Sequence, residues 1–266
     1  MSTSKYTFYH LSNKDPAGLY TKMIQEYLLK WSMKKCLHVD YYAFNQEFTE
    51  DDIEQFALDL FRDCNVVTTL QTHFDEFKGN NVNRVQTETI PCSVTSMMFF
   101  DRLLDPKNNI VCSGTDNDGN HRIRQCMEVF KNGIYISNKL KMMSFEDESS
   151  EYLLYSEDER AEFIFRLLQH FLIGGRWCQD DEIIEPYLTA TKHVYKDLLN
   201  VEKVTDFGIR VSSKIYKVVA FNSNNKISFP KESINSAPYS FAYLSVNPKT
   251  RTVALFFHNV GDKIYT

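Results

Sequence analysis

The sequence predicts an α+β fold in which helices from the middle of the chain pack on an antiparallel sheet built from N- and C-terminal strands. Two observations carry this prediction. Apolar residues recur at helical spacing through the middle of the chain, whereas runs rich in β-branched and aromatic residues gather towards its two ends. Such segregation favours an antiparallel sheet with helices laid against it over an alternating β/α order. Glycine and proline number only 9 and 7 in 266 residues, which argues against long disordered linkers. One globular domain over residues 1–266 is therefore expected, the alternative being subdomains at 1–88 and 89–266.

Taken in order, a short apolar run at residues 6–11 comes first. Asp15-Pro16 then provides an N-cap with proline in the first turn, and the spacing predicts a helix to about Met33 with Leu19, Met23, Tyr27 and Leu28 on its apolar side. Residues 36–44 read as a strand. Thr49, followed by acids through Asp52, is placed to cap a second helix that buries Ile53, Phe56, Ala57, Leu60 and Phe61. Residues 77–88 are polar and read as a loop or short hairpin. An apolar helix over 92–104 is closed by Asp105-Pro106. After a Gly/Asp/Asn-rich loop at 114–120, a helix from about His121 to Lys131 is expected, with Gly133 as its stop.

Ser156-Glu157-Asp158-Glu159 is a capping box, and Phe163, Leu167, Leu168 and Phe171 follow it at core spacing up to Gly174-Gly175. Another helix over 186–200 places Tyr187, Thr191, Val194, Tyr195 and Leu198 on one side. Residues 209–221, 239–246 and 252–258 then read as strands. The last two form a hairpin, because Asn247-Pro248-Lys249-Thr250 fits a turn with proline second.

The formal charge is −5, and the densest basic run, residues 30–35, holds three lysines. That run reads as a solvated helix end, where lysines meet exposed carbonyls. It is too sparse for phosphate-backbone binding, so no nucleic-acid partner is expected. None of the six cysteines forms a CxxC pair, and their scatter through apolar segments suits buried free thiols in a reducing compartment. No signal core and no run of about eighteen apolar residues appears, so an intracellular, soluble chain without a membrane partner is expected.

Three short patterns bear on chemistry. His38 and Asp40 are two apart in a predicted strand, so both point to one side and are able to ligate one metal. With a distant histidine (His170, His193 or, best, His258) they would form the facial triad of a non-haem iron oxygenase. The pattern is short, however, and its plainer reading is a strand with two polar residues facing solvent. Residues 116–120 resemble part of a calcium loop, but the register puts Gly114 and Gln125 where acidic ligands are required. They read as a surface turn. Gly174-Gly175 follows a helix rather than a strand and lacks the GxxxxGK[ST] pattern, so it reads as a helix stop rather than a phosphate loop. A nucleophile elbow, kinase signatures and GxGxxG are also absent. No enzyme, metal or cofactor is expected. Recognition remains, with Arg176 and Trp177 as the residue types that anchor interfaces.

Residues 174–198 (GGRWCQDDEIIEPYLTATKHVYKDL) are similar to a stretch of the cilia- and flagella-associated protein 300 family. The resemblance lies in Gly174-Gly175, Cys178-Gln179, Pro186-Tyr187-Leu188, Thr191-Lys192 and residues 195–198. Weaker matches are Trp31-Ser32-Met33, Phe44, Gln46 and Phe48, residues 63–66 (DCNV, where the family tends to DPNV), and the 90–103 stretch. The first 27 residues match poorly, and Arg176-Trp177 stands where other members carry smaller or apolar residues. The resemblance implies a non-enzymatic factor of the cytoplasm and cilium for assembling or delivering outer and inner axonemal dynein arms. The implied partners are axonemal dynein subunits, a PIH-domain dynein assembly factor or an intraflagellar transport train. A structural axonemal component is a further possibility. The residues expected to bind a partner are Arg176, Trp177, Gln179, Tyr187 and Lys192.

Overall fold

A computed structural model describes residues 4–204, 208–231 and 238–260. The N-terminal third contains β1 (Phe8–His10), α1 (Lys22–Lys30), β2 (Leu37–Phe44), α2 (Ile53–Arg62), α3 (Cys64–His73) and β3 (Val82–Ile90). The middle holds α4 (Asp101–Leu104), β4 (Gln125–Lys131), β5 (Ile134–Asn138), α5 (Lys139–Phe145), α6 (Glu157–Ala161), α7 (Phe163–Ile173) and α8 (Glu185–Leu198). The C-terminal part contains β6 (Val201–Val204), β7 (Gly208–Val211), β8 (Lys214–Asn222), β9 (Ile227–Phe229), β10 (Phe241–Asn247) and β11 (Thr252–His258). The fold is α+β, as the segregation of patterns predicts.

Seven strands form one antiparallel sheet in the order β1-β2-β11-β10-β8-β3, with β9 paired to β8. The N-terminal β2 therefore lies beside the C-terminal β11, with His38 opposite Phe257 and Leu37 opposite His258. Strand alternation divides the sheet into two buried faces. On one, Leu37, Val39, Tyr41, Ile215, Tyr243 and Phe256 pack in the cluster that includes the apolar sides of α1, α7 and α8. On the other, Tyr42, Phe44, Tyr216, Val218, Leu244 and Phe257 pack with α2 and α3. Every residue of β10 is buried, which explains why its sequence runs apolar without clean alternation. Phe56 of α2 sits centrally on the second face, with its ring 4.9–5.1 Å from those of Tyr6, Phe8, Phe44 and Phe48.

Several elements differ from the sequence expectations. The first helix begins at Lys22, capped by Thr21, not at Asp15-Pro16, because the Gly18 and Leu19 amides donate to the Asp197 carboxylate of α8. Thr49 makes no cap hydrogen bond; its hydroxyl goes to Asp52, and a 3-10 turn over Glu50–Asp52 precedes α2. Of the residues 77–88 expected as a loop or short hairpin, 82–88 belong to β3, whose ladder with β8 spans residues 82–90. The 92–104 helix shrinks to a 3-10 turn (Met97–Phe100) and α4.

The expected helix over 121–131 is instead β4, which turns at Asn132-Gly133 into β5. Both turn residues have positive φ, 51° and 82°, as a two-residue hairpin turn requires. The capping box at Ser156 is present, yet the helix it starts is interrupted at Glu162. There the carboxylate accepts from the Ser93 amide and hydroxyl, and the backbone of Glu162 is extended. Of the six free cysteines only Cys36 is buried, and Cys64 is exposed rather than buried.

Candidate interaction surface

The segment joining α7 to α8 is built on the end of α1. Gly174 ends α7 at φ 64°, a conformation that favours glycine. Its neighbour Gly175 is needed for space, since a Cβ there would lie 2.1 Å from the Ser32 carbonyl oxygen. The close approach is fastened by backbone bonds, with the Gly175 amide donating to Trp31 O at 2.8 Å and the Gln179 amide to Lys30 O at 3.1 Å. The Trp31 Nε1 donates to Asp181 Oδ2 at 2.7 Å, and Lys30 pairs with the same carboxylate. Asp181 N donates in turn to the Tyr187 phenol oxygen at 2.9 Å, and the Tyr187 ring stacks on Trp31. The residues that carry the family resemblance in both segments thus meet in one junction.

This geometry sorts the expected partner-binding residues. Arg176, Trp177 and Gln179 are exposed on the 174–179 loop, Trp177 at 65%. Lys192 is exposed on α8. Tyr187 requires correction: it is fully buried, so its side chain is structural and cannot touch a partner from this position. Cys178, in the same loop, is packed against the core, and burial pushes its thiol up to about 12. It is far from the thiolate form a nucleophile needs.

Sequence reasoning missed the other half of this surface, the β4–β5 hairpin. Ser137 of β5 donates to Asp180 at 2.9 Å, and Lys141 of α5 pairs with the same carboxylate at 2.7 Å, tying hairpin and loop together. A cleft of about 390 Å³ separates them, lined by Gln125, Ser137, Asp180 and Glu182 among others. The outer face of the hairpin carries Phe130 opposite Tyr135, ring centroids 4.7 Å apart and both more than half exposed. Met127 of β4 is 85% exposed. Burial raises the Tyr239 phenol, with Cys178 and Tyr135 raising it further and Arg176 opposing them. The loop and the hairpin expose Trp, Tyr, Phe, Met and Arg side chains, the residue types enriched at interface centres. The signal that would have found the hairpin is Asn132-Gly133 between two apolar runs.

The iron-triad expectation fails on strand faces. His38 and Asp40 share the face of Tyr42 and Phe44, and His38 packs on Phe257. His258 lies opposite Leu37 on the other face, where its Nδ1 donates to the Tyr239 carbonyl at 2.6 Å. His170 stacks on Phe241 and His193 sits on α8, both on that same far side. The sheet therefore separates the pair from every third ligand considered. Asp40 instead receives His73 at 3.1 Å, and the His73 and His38 rings stack at 4.0 Å. The pair is not solvent-facing either, since Asp40 is buried. Among the described residues no three His, Cys, Asp or Glu side chains are grouped to hold a metal, and no helix is long and apolar enough to cross a membrane.

The family model described as cilia- and flagella-associated protein 300 matches residues 5–258. The match begins at residue 5, so most of the first 27 residues, expected to match poorly, lie within it. A protein of that name from Chlamydomonas reinhardtii is 29% identical over 258 residues, covering 94% of this chain and 96% of its own. One from Paramecium tetraurelia is 28% identical over 255 residues, covering 95% and 92%. No solved structure matches.

Proposed function

Since the chain belongs to the cilia- and flagella-associated protein 300 family, and so has a cilium-related role, we propose that it is a non-enzymatic factor for assembling or delivering axonemal dynein arms. It works in the cytoplasm and cilium by binding other proteins. The partners are axonemal dynein subunits, a PIH-domain dynein assembly factor or an intraflagellar transport train. The observation that carries the reading is the match to the family along nearly the whole chain. The exposed Trp177 loop and the Phe130–Tyr135 hairpin face support a binding role, because large apolar side chains grouped at a surface mark contact sites.

The test is removal of the protein from a ciliated cell, followed by immunoblotting and electron microscopy of isolated axonemes. Loss of both outer and inner arms, restored by the wild-type chain, is expected. Axonemes with both arms at normal abundance would overturn the proposal. Salt-resistant retention of the protein at axonemal stoichiometry would instead favour a structural component.

A further inference from the structure

Around the rim where α6 and α7 meet β8 and β10 lies a cleft of about 330 Å³ that shares no residue with the interaction surface. Its wall carries three cations, Arg160, Arg166 and Lys217, against the carboxylate of Glu157. Arg166 donates to Glu88 at 2.9 Å, so counting Glu88 leaves three cations facing two carboxylates. Lys217 stands across the β3–β8 ladder from Glu88, but Glu88 is engaged by Arg166, and Lys217 has no ion pair among the described residues.

Arg160 lies deepest, at 7% exposure. Its Nη2 donates to the Met143 carbonyl at 2.8 Å and to that of Tyr152, and the Tyr152 ring covers its face at 3.4 Å. The Nε and Nη1 hydrogens meet no acceptor among the described residues. A buried guanidinium with unpaired N–H groups is a standing cost to the fold, and an anion nearby reduces it. Tyr243 shares the cleft, its hydroxyl 2.8 Å from His170 Nε2, while His170 Nδ1 is unpartnered. Burial keeps the His170 imidazole neutral, and Lys217 and Arg166 both act to repel a proton from it, as expected where the local potential is positive.

We propose that this cleft is an oxyanion site for a phosphate-class ligand, held by Lys217 and Arg166 over the buried charge of Arg160. Its volume is at the low end of small-molecule sites, roughly 300–1,000 Å³, which suits phosphate or a small phosphate monoester. The proposal is independent of the ciliary function.

Thermal unfolding of the full chain tests it, at constant ionic strength in chloride, with inorganic phosphate or O-phosphoserine as probe. A saturable rise in Tm with at least one probe is expected, because a ligand of the native state stabilises it by mass action. Lys217→Gln and Arg166→Gln should each weaken the apparent affinity about tenfold, the size of one charge-assisted contact. Both side chains are only partly buried, so the variants should fold, which circular dichroism checks. Binding of phosphate supports a free-anion site, and binding of O-phosphoserine alone supports one for a carried phosphoryl group. No rise with either probe at about 20 mM, far above useful affinities for such anions, overturns the proposal. So does a rise that Lys217→Gln leaves unchanged.

Discussion

The Trp31 indole lies flat on the Tyr187 ring, centroids 4.8 Å apart and planes 5° from parallel, and this contact joins the end of α1 to the first turn of α8. Both side chains are fully buried, and both serve Asp181: Trp31 donates to its carboxylate, and Tyr187 accepts from its amide. The 174–198 segment thus has buried packing residues in this junction, while Arg176 and Trp177 are exposed.

Truncating that stack should unfold the junction. Trp31→Ala should cost about 3–5 kcal/mol, as large-to-small core changes do. Tyr187→Phe keeps the ring and loses the acceptor for Asp181 N, so it should cost about 1–3 kcal/mol. Urea denaturation measures both. A Trp31→Ala loss below the Tyr187→Phe loss would contradict the stacking account.

Gly175 gives a sharper contrast. A Cβ at Gly175 meets a backbone carbonyl that cannot rotate away, whereas one at Gly114 meets nothing within 4 Å and is opposed only by φ of 82°. Gly114→Ala should cost about 1–2 kcal/mol from backbone conformation. Gly175→Ala should cost more, about 3 kcal/mol or above, because it is an overpacking change with no flexible neighbour. Equal losses in a denaturation series would show that the α1 end yields more easily than its hydrogen bonds suggest.

What the sequence made legible was whatever rests on local pattern. Strand β11 occupies residues 252–258 as expected, because a β-branched and aromatic run follows an Asn-Pro turn signal. His38 and Asp40 share a face, as period two demands. The third ligand could not be judged so, because the face of His258 depends on its register with β2. The break at Glu162 was likewise invisible, being set by Ser93, which is 69 residues away. Gly133 misled for a local reason: glycine both stops helices and completes hairpin turns, and Asn132 before it decides between them. Tyr187 misled because a family motif does not say whether it packs or binds.

Acid should destabilise the protein before its carboxylates titrate. His258 is fully buried and lowered to about 4 by that burial, while His38 is lowered to about 4 by burial and then by His73. Unfolded, both return to about 6.5 and bind protons that the native state refuses between those values. Stability is therefore full above pH 6.5 and falls as pH drops from 6.5 towards 4, by up to about 3 kcal/mol for His258 alone. Urea unfolding at pH 7.5, 6 and 5 checks this. His258→Phe should flatten part of the slope, and a wild-type profile level from pH 7 to 5 would exclude the mechanism.

Trp177 offers the cleanest separation of binding from folding. Its side chain is 65% exposed on a loop whose path is fixed by Gly174, Gly175 and the backbone bonds to α1. Trp177→Ala should therefore leave stability within about 0.5 kcal/mol of wild type, as surface changes do. If the surface is used, the same change should weaken capture of a partner by about 2 kcal/mol or more, the loss typical of an interface anchor. Phe130→Ala on the hairpin tests whether both halves belong to one interface, because residues that anchor one contact show non-additive losses when combined. Binding assays with dynein-arm components or transport-train proteins, using the two single variants and the double, give the readout. Unchanged capture by all three would remove this face from the proposal, whereas a double loss equal to the sum of the singles would make the loop and the hairpin separate contacts.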